Sequence, residues 1–346
     1  MGKELIIHAG FGEGHKMASL ALRDFLDAPC HDLLDFCHQR VSEVYARGYH
    51  SITNKYFFVW NVLFYAARLK VVRRLITRFH KLIFPSFLRY LRENNFRTLI
   101  ITHFFPLQLA AQVKDELGFK IITIITDFKV HPLWISDKVD LYFAAMEETK
   151  QNLIALGVDQ EKIIAGTVPL REGFLDDLSQ NELRKKFSLD QKPCLLFMSS
   201  IRGNFPFFKE VFPDLIGKFN VIVIYGRNQE LKKYLSKFKS NSLRIFLSYE
   251  QMWELTSLSS IIISKPGGLT SFEGVYKKKF FIFTHYIPGQ EKQNMDLLIK
   301  YGIAKYASNK DDFFRALDYF QHNADKLKSN YPLELKDIRP ALSRVI

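Results

Sequence analysis

The feature that most constrains this chain is a repeated alternation of short, continuous apolar runs with helix-period stripes, punctuated by glycine turns. Leu5-Ile6-Ile7 leads into Gly10-Phe11-Gly12-Glu13-Gly14, after which Met17, Leu20, Ala21 and Phe25 recur at helical spacing. Further apolar runs occupy 98–102, 120–126 and 141–145, with helical patterns over 106–117 and 147–156. The rhythm breaks at Gly166-Thr167-Val168-Pro169. It restarts with runs at 194–198, 221–225, 261–264 and 280–283, separated by helical patterns near 229–238, 251–257 and 269–277. Strands that are apolar along their whole length must be covered on both faces, which means parallel sheets between helices. The expectation is an α/β chain of two Rossmann-like, doubly wound domains, residues 1–168 and 169–346.

Charge and cysteine usage narrow the setting. The net charge of +13 favours anionic partners without choosing among them. Three cysteines argue against a disulfide scaffold, and the repeated pairs Cys30-His31 and Cys37-His38 fit no common zinc spacing. The chain enters a strand pattern at once, so no signal peptide is expected, and Ile6 breaks the myristoylation pattern. The longest apolar stretch, 56–69, is interrupted by Asn61 and Arg68 and is shorter than the ~20 residues of a spanning helix. These features predict a cytoplasmic protein, soluble or peripheral on the inner face of the cell membrane.

Residues 44–92 stand apart. They hold ten Lys or Arg, twelve aromatics and no Asp or Glu. Phe57, Phe58, Trp60, Phe64, Phe79, Phe84 and Phe87 beside Arg73 and Arg74 give the composition of a segment lying on an anionic membrane surface. Packed domain helices with solvated charges are the alternative. A nucleic-acid groove is disfavoured, because Phe57-Phe58-Val59-Trp60 is too apolar to hold a charged backbone.

Four motifs fall where chemistry is expected. The first, Gly10-Phe11-Gly12-Glu13-Gly14-His15, opens a helix. It does not fit the nicotinamide fingerprint, since no acid is expected to end a second strand about twenty residues on. His15, at a helix start, should stay neutral and could take a proton from a hydroxyl, or could simply cap the loop. The second, Thr126-Asp127-Phe128-Lys129-Val130-His131-Pro132-Leu133-Trp134, follows a parallel strand, where ligands bind in such sheets. Asp127 and His131 are polar candidates there, or a turn former and a surface histidine. The third, Ser264-Lys265-Pro266-Gly267-Gly268-Leu269-Thr270, should open a helix capped by Thr or Ser. Its free N–H groups could cradle a diphosphate without a metal. Glu273, read as a first-turn acid, could meet a ribose or complement the helix dipole. The fourth, Pro288-Gly289-Gln290-Glu291, offers groups for sugar hydroxyls, or a polar helix start.

Taken in order, these motifs resemble the processive diacylglycerol glucosyltransferases and the monogalactosyldiacylglycerol synthases, over residues 5–305. The resemblance implies a GT-B fold, with the two domains facing across a cleft. It also implies inverting transfer of a hexose from a UDP-sugar, UDP-glucose or UDP-galactose, to diacylglycerol or a related lipid, with no cofactor and no metal. His15 would match the acceptor-side histidine, with Asp127 and His131 as rivals or helpers and Gly12 and Gly14 in the acceptor loop. Lys265, Pro266, Gly267, Gly268, Leu269 and Thr270 would match the diphosphate loop, Glu273 the ribose acid, and Gln290 and Glu291 the sugar-reading pair. Where such enzymes carry several glycines, Met198-Ser199-Ser200-Ile201-Arg202-Gly203-Asn204 keeps one, and Arg202 could pair with phosphate instead. Leu247 stands where a glycine is usual. The alternatives are a relative that only binds nucleotide-sugar or membrane, and a soluble nucleotide-sugar epimerase on the same scaffold.

Overall fold

The structure, a computed structural model, describes residues 4–10, 13–40, 43–44, 66, 69–199, 207–226 and 228–346. It divides into two compact units. The first comprises Met1–Arg171, Ile287–Gln293 and Leu335–Ile346; the second comprises Glu172–Tyr286 and Asn294–Glu334.

The first unit is built on a six-stranded sheet in the order β2-β1-β3-β4-β5-β6. Its strands are β1 (Glu4–His8), β2 (Cys30–Asp32), β3 (Thr98–Ile101), β4 (Lys120–Ile124), β5 (Leu141–Ala144) and β6 (Ile163–Ala165), and every pairing is parallel. Side chains alternate across the pleat into two cores. Leu5, Ile7, Leu99, Ile101 and Ile121 point to one, and Ile6, Ile100, Ile122 and Phe143 to the other. Ile338 and Leu342 pack into the second core, so the chain end belongs with this unit. A short parallel pairing of β7 (Thr167–Val168) with β14 (Lys336–Asp337) anchors it.

The second unit repeats the design in the order β10-β9-β8-β11-β12-β13. The strands are β8 (Cys194–Met198), β9 (Asn220–Ile224), β10 (Leu243–Phe246), β11 (Ile261–Ser264), β12 (Phe280–Phe283) and β13 (Ala304–Tyr306), again all parallel. This is the Rossmann order, whereas the first unit follows the other doubly wound order. Much of the phenylalanine surplus is spent here. Phe280 stacks on Phe320 at 5.0 Å and Phe208 on Phe212 at 5.0 Å, and Gly274 lies so close to the sheet that a Cβ would stand 2.4 Å from Phe281.

The basic, aromatic stretch divides into two kinds of surface. Phe84 and Phe87 are buried in the first core, so the packed-helix reading holds for them against the expected membrane role. The helix Lys70–Ile83 differs. His80, 2% exposed, faces inward and meets Phe105 at 4.4 Å. Val71, Leu75, Phe79 and Leu82 span an arc of about 80° at 3.6 residues per turn. All four are exposed, Leu82 to 80%. Exposed Arg74, Arg78 and Lys81 edge that arc, and Arg73 is half-buried. Phe57, Phe58, Trp60 and Phe64 lie outside the described residues. No helix among the described residues is long and apolar enough to cross a membrane.

Candidate active site

In a doubly wound sheet, ligands bind beyond the carboxyl ends of the strands, where the strand order reverses. In the first unit that point lies between β1 and β3. His15 follows β1 in the first turn of the helix Glu13–Leu26, Thr102 and His103 follow β3, and Thr126, Asp127 and His131 follow β4. The three loops converge on the His15 ring. Its Nδ1 lies 2.9 Å from the Thr102 carbonyl oxygen and 2.7 Å from Thr126 Oγ1. The His103 ring meets it edge-on at 4.5 Å between centroids, and Trp134 stands at 6.4 Å. Thr102 also fixes the main chain: its hydroxyl donates to the His15 carbonyl at 3.2 Å and pairs with Ser19 Oγ at 2.7 Å.

This packing sets the charge state. His15 as a residue is only partly buried, yet burial of its ring pushes the pKa down to about 4; the Thr102 hydrogen bond opposes that and nearby His8 adds to it. His103 is held well below the ordinary value, chiefly by burial and then by His15 and His8. Burial brings His80 to about 4. The centre is therefore a set of neutral imidazoles at pH 7, as expected of His15 from its helix start, although burial is the larger cause.

Two other histidines have local duties. Leu133 N–H donates to Nδ1 of buried His131 at 3.2 Å, and Phe105 N–H donates to Nδ1 of His103 at 3.2 Å, so each caps the turn it precedes. In the neutral ring the hydrogen then sits on Nε2. His131 is buried, not a surface residue, and its Nδ1 is taken up by the Leu133 N–H. Asp127 is buried directly after Thr126.

One expectation about the glycine loop is overturned. An acid does end the second strand: Asp32, the last residue of β2. Its Oδ1 accepts from Gly10 N–H at 2.9 Å and Leu34 N–H at 3.0 Å, and its Oδ2 lies 3.9 Å from His8 Nδ1. It braces the loop instead of reaching for a ribose, and a Cβ on Gly10 would stand 2.2 Å from its carboxylate. Gly14 is half-buried in the first helical turn, and Gly12 lies outside the described residues.

The second unit's counterpart is made of main chain. β11 ends at Ser264, Lys265 and Pro266 turn the chain, and the helix Gly268–Tyr276 begins with Gly267 as its N-cap. The expected Thr or Ser cap is absent: Thr270 and Ser271 lie inside the helix, and its N-cap, Gly267, has no side chain to bond the first N–H groups. Those donors remain for an anion, at the positive end of the helix dipole. A Cβ on Gly267 would meet nothing within 4 Å, so the turn's mouth is open. Buried Asn294 donates to the Pro266 carbonyl at 3.1 Å and holds the turn from behind. Glu273 is 5% exposed and sits beyond the first turn, which removes the dipole explanation for it. Lys265, Gly268 and Leu269 are partly exposed around the turn.

The fourth motif starts the helix Gln290–Lys300 after Gly289, whose φ of 97° requires glycine. Glu291 Oε2 accepts from Ile287 N–H at 2.8 Å, so this carboxylate shapes its own turn. Gln290 Nε2 is buried with no hydrogen-bond acceptor among the described residues. Arg202 lies outside the described residues. The sequence reading missed Thr102, His103 and Asp32; the first two lie just past an apolar parallel strand, as Asp127 does, whereas Asp32 ends a strand with no apolar run to mark it.

Residues 18–170 match the family described as monogalactosyldiacylglycerol (MGDG) synthase. The chain is 26% identical over 345 residues to a processive diacylglycerol beta-glucosyltransferase of Bacillus pumilus, covering 94% of this chain and 88% of that one. Against the protein of the same name from Bacillus cytotoxicus it is 28% identical over 311 residues, covering 84% and 78%. Among solved structures, the fold resembles Acinetobacter baumannii MurG (TM-score 0.60, 12% identity, 99% of each chain). It also resembles a UDP-GlcNAc 2-epimerase from Neisseria meningitidis bound to UDP-GlcNAc (TM-score 0.60, 12% identity, 96% and 95%).

Proposed function

Because the chain is a relative of the processive diacylglycerol glucosyltransferases and the monogalactosyldiacylglycerol synthases, we propose that it is an inverting glycosyltransferase moving glucose or galactose from its UDP-sugar to diacylglycerol or a related membrane lipid. The observation that carries this reading is the neutral His15 at the strand-order reversal of the first sheet. A general base must be unprotonated at working pH and positioned by fixed partners, and His15 meets both conditions. It removes the proton of the lipid hydroxyl as that oxygen attacks the anomeric carbon opposite the diphosphate. His131, presenting N–H, and Asp127 are helpers.

Departure of UDP needs its developing charge met by oriented donors. The first N–H groups of the helix Gly268–Tyr276 supply them in this reading, with Lys265 alongside and no metal required. Glu273 takes the ribose, and Gln290 and Glu291 the sugar, Gln290 contributing its unsatisfied N–H. The acceptor is a lipid, so the enzyme must work at a bilayer. The exposed arc Val71, Leu75, Phe79 and Leu82, edged by Arg74, Arg78 and Lys81, supports contact with an anionic leaflet at the cytoplasmic face. No nucleic acid is involved.

The test is incubation of the purified chain with labelled UDP-glucose or UDP-galactose and vesicles of diacylglycerol in anionic phospholipid, followed by thin-layer separation of lipids. Label should enter a glycolipid. Label recovered only as an epimerised nucleotide-sugar would instead support the epimerase reading that the fold also permits.

A further inference from the structure

The contacts of His15 reach beyond its role as a base. The Thr102 carbonyl oxygen, 2.9 Å from Nδ1, can only accept, so Nδ1 carries the ring hydrogen. Thr126 Oγ1 approaches the same nitrogen at 2.7 Å. A protonated Nδ1 has no in-plane lone pair left to receive the hydroxyl hydrogen, so Thr126 is a second acceptor of the shared Nδ1–H. Nε2 keeps its lone pair, and no hydrogen bond to it exists among the described residues. His103 and His131 have the opposite arrangement, each accepting a main-chain N–H at Nδ1. The fold thus turns one imidazole into an acceptor at Nε2 and two into donors.

We propose that Thr126 is a positioning residue for the transfer reaction, acting through His15. With the Thr102 carbonyl it keeps the hydrogen on Nδ1. It also takes up part of the positive charge that forms when Nε2 is protonated. This rests on the glycosyltransferase reading only for its kinetic consequence. The step balances. The Nε2 lone pair forms an N–H bond as the acceptor O–H breaks, and that oxygen's electron pair bonds the anomeric carbon. The carbon–oxygen bond to the diphosphate breaks with its pair on the departing oxygen. The resulting imidazolium has two oxygen acceptors at Nδ1–H, where a carboxylate serves in the better-known triads. A neutral hydroxyl stabilises the cation less than a carboxylate would, and it leaves the resting ring neutral.

The experiment combines a spectroscopic and a kinetic readout. Long-range proton–nitrogen spectra of the ¹⁵N-labelled full chain, with His15 assigned by comparison with His15→Gln, report which ring nitrogen carries hydrogen. The expected result is a protonated Nδ1 and a bare Nε2 for His15. Thr126→Val removes the second acceptor at constant shape. It should shift the His15 nitrogen signals and lower kcat about tenfold, the effect of one hydrogen bond to a charged group. The KM for UDP-sugar should stay within about twofold, and Thr126→Ser should restore most of the rate. Thr126→Ala gives the same readouts if the valine variant misfolds. A hydrogen on Nε2 in the parent protein, or a hydroxyl-free variant with parental kcat and unmoved signals, overturns the proposal. If no glycolipid forms at all, the nitrogen spectra still decide the hydrogen-bond assignment, so the two failures are distinguishable.

Discussion

The two sheets are alike in size and in parallel pairing, yet their rims are made of different material. Beyond β1, β3 and β4 the first rim is assembled largely from side chains: the His15 ring, hydrogen-bonded at the Thr102 carbonyl and the Thr126 hydroxyl, with the His103 ring edge-on to it at 4.5 Å and Trp134 alongside. Beyond β11 the second rim is main chain, an uncapped helix start after an open glycine. In the proposed reaction the two rims have different jobs. Accepting a proton needs one particular group at one charge state, which only a buried and braced side chain provides. Holding a diphosphate needs several N–H dipoles aimed at one place, which any residues can donate provided no Cβ blocks the approach. The first rim should therefore be sensitive to the chemistry of its residues, and the second to their bulk.

Four outcomes would break or sharpen that contrast. The largest concerns His15→Ala, expected to lower kcat by about a thousandfold, within the usual range for loss of a general base. Calorimetry should show UDP affinity unchanged. Joint loss of turnover and UDP binding would erase the division of labour.

Next in size is acid sensitivity of the first unit. His15 and His80 are pushed to about 4 and His103 well below the ordinary value. Between pH 6.5 and 4 the unfolded chain binds protons that the folded unit refuses. Stability is therefore full above pH 6.5 and falls as the pH drops toward 4, by on the order of several kcal/mol in all. Urea unfolding at a series of pH values should show this decline, and a flat profile would mean the histidines are not held neutral. The amides of the second rim do not titrate and should add nothing to it.

Third, Gly267→Ala should weaken UDP binding about tenfold with an unchanged melting temperature. Its φ is ordinary and the added methyl meets nothing in the protein, so only a ligand against the turn would feel it. Last, Thr270→Ala should leave UDP affinity within about threefold, since in this account its N–H matters more than its hydroxyl. A larger loss would put a side chain back into the second rim.

The same contrast explains what could be read from sequence. Cys194–Met198, Ile261–Ser264 and Phe280–Phe283 coincide with the expected runs, because strands buried on both faces leave unbroken apolar stretches. Cys30–Asp32 carries no such run, so β2 went unseen and Asp32 with it. The glycine turn at Gly267 was legible because open main chain demands glycine. Its true cap was not, since Thr270 and Ser271 are also common cap residues. His103 was missed because a histidine after an apolar run has no pattern of its own; its role comes from facing His15, 88 positions away in the chain, across a sheet order that local periodicity does not encode. Phe79 and Phe87 look equivalent in composition, yet Phe79 is exposed on the helix Lys70–Ile83 and Phe87 lines the core from the helix Pro85–Glu93. Similarly, nothing in the last dozen residues announces that Ile338 and Leu342 return to the first unit.

The most direct test of the central claim, single displacement by a hydroxyl activated at His15, is the anomeric configuration of the product. The purified chain should convert an α-linked UDP-hexose and diacylglycerol vesicles into a β-linked glycolipid, identified by proton NMR of the isolated lipid, and His15→Ala should yield almost none. An α-linked product, or a β-linked product formed equally well without the imidazole, would contradict the account.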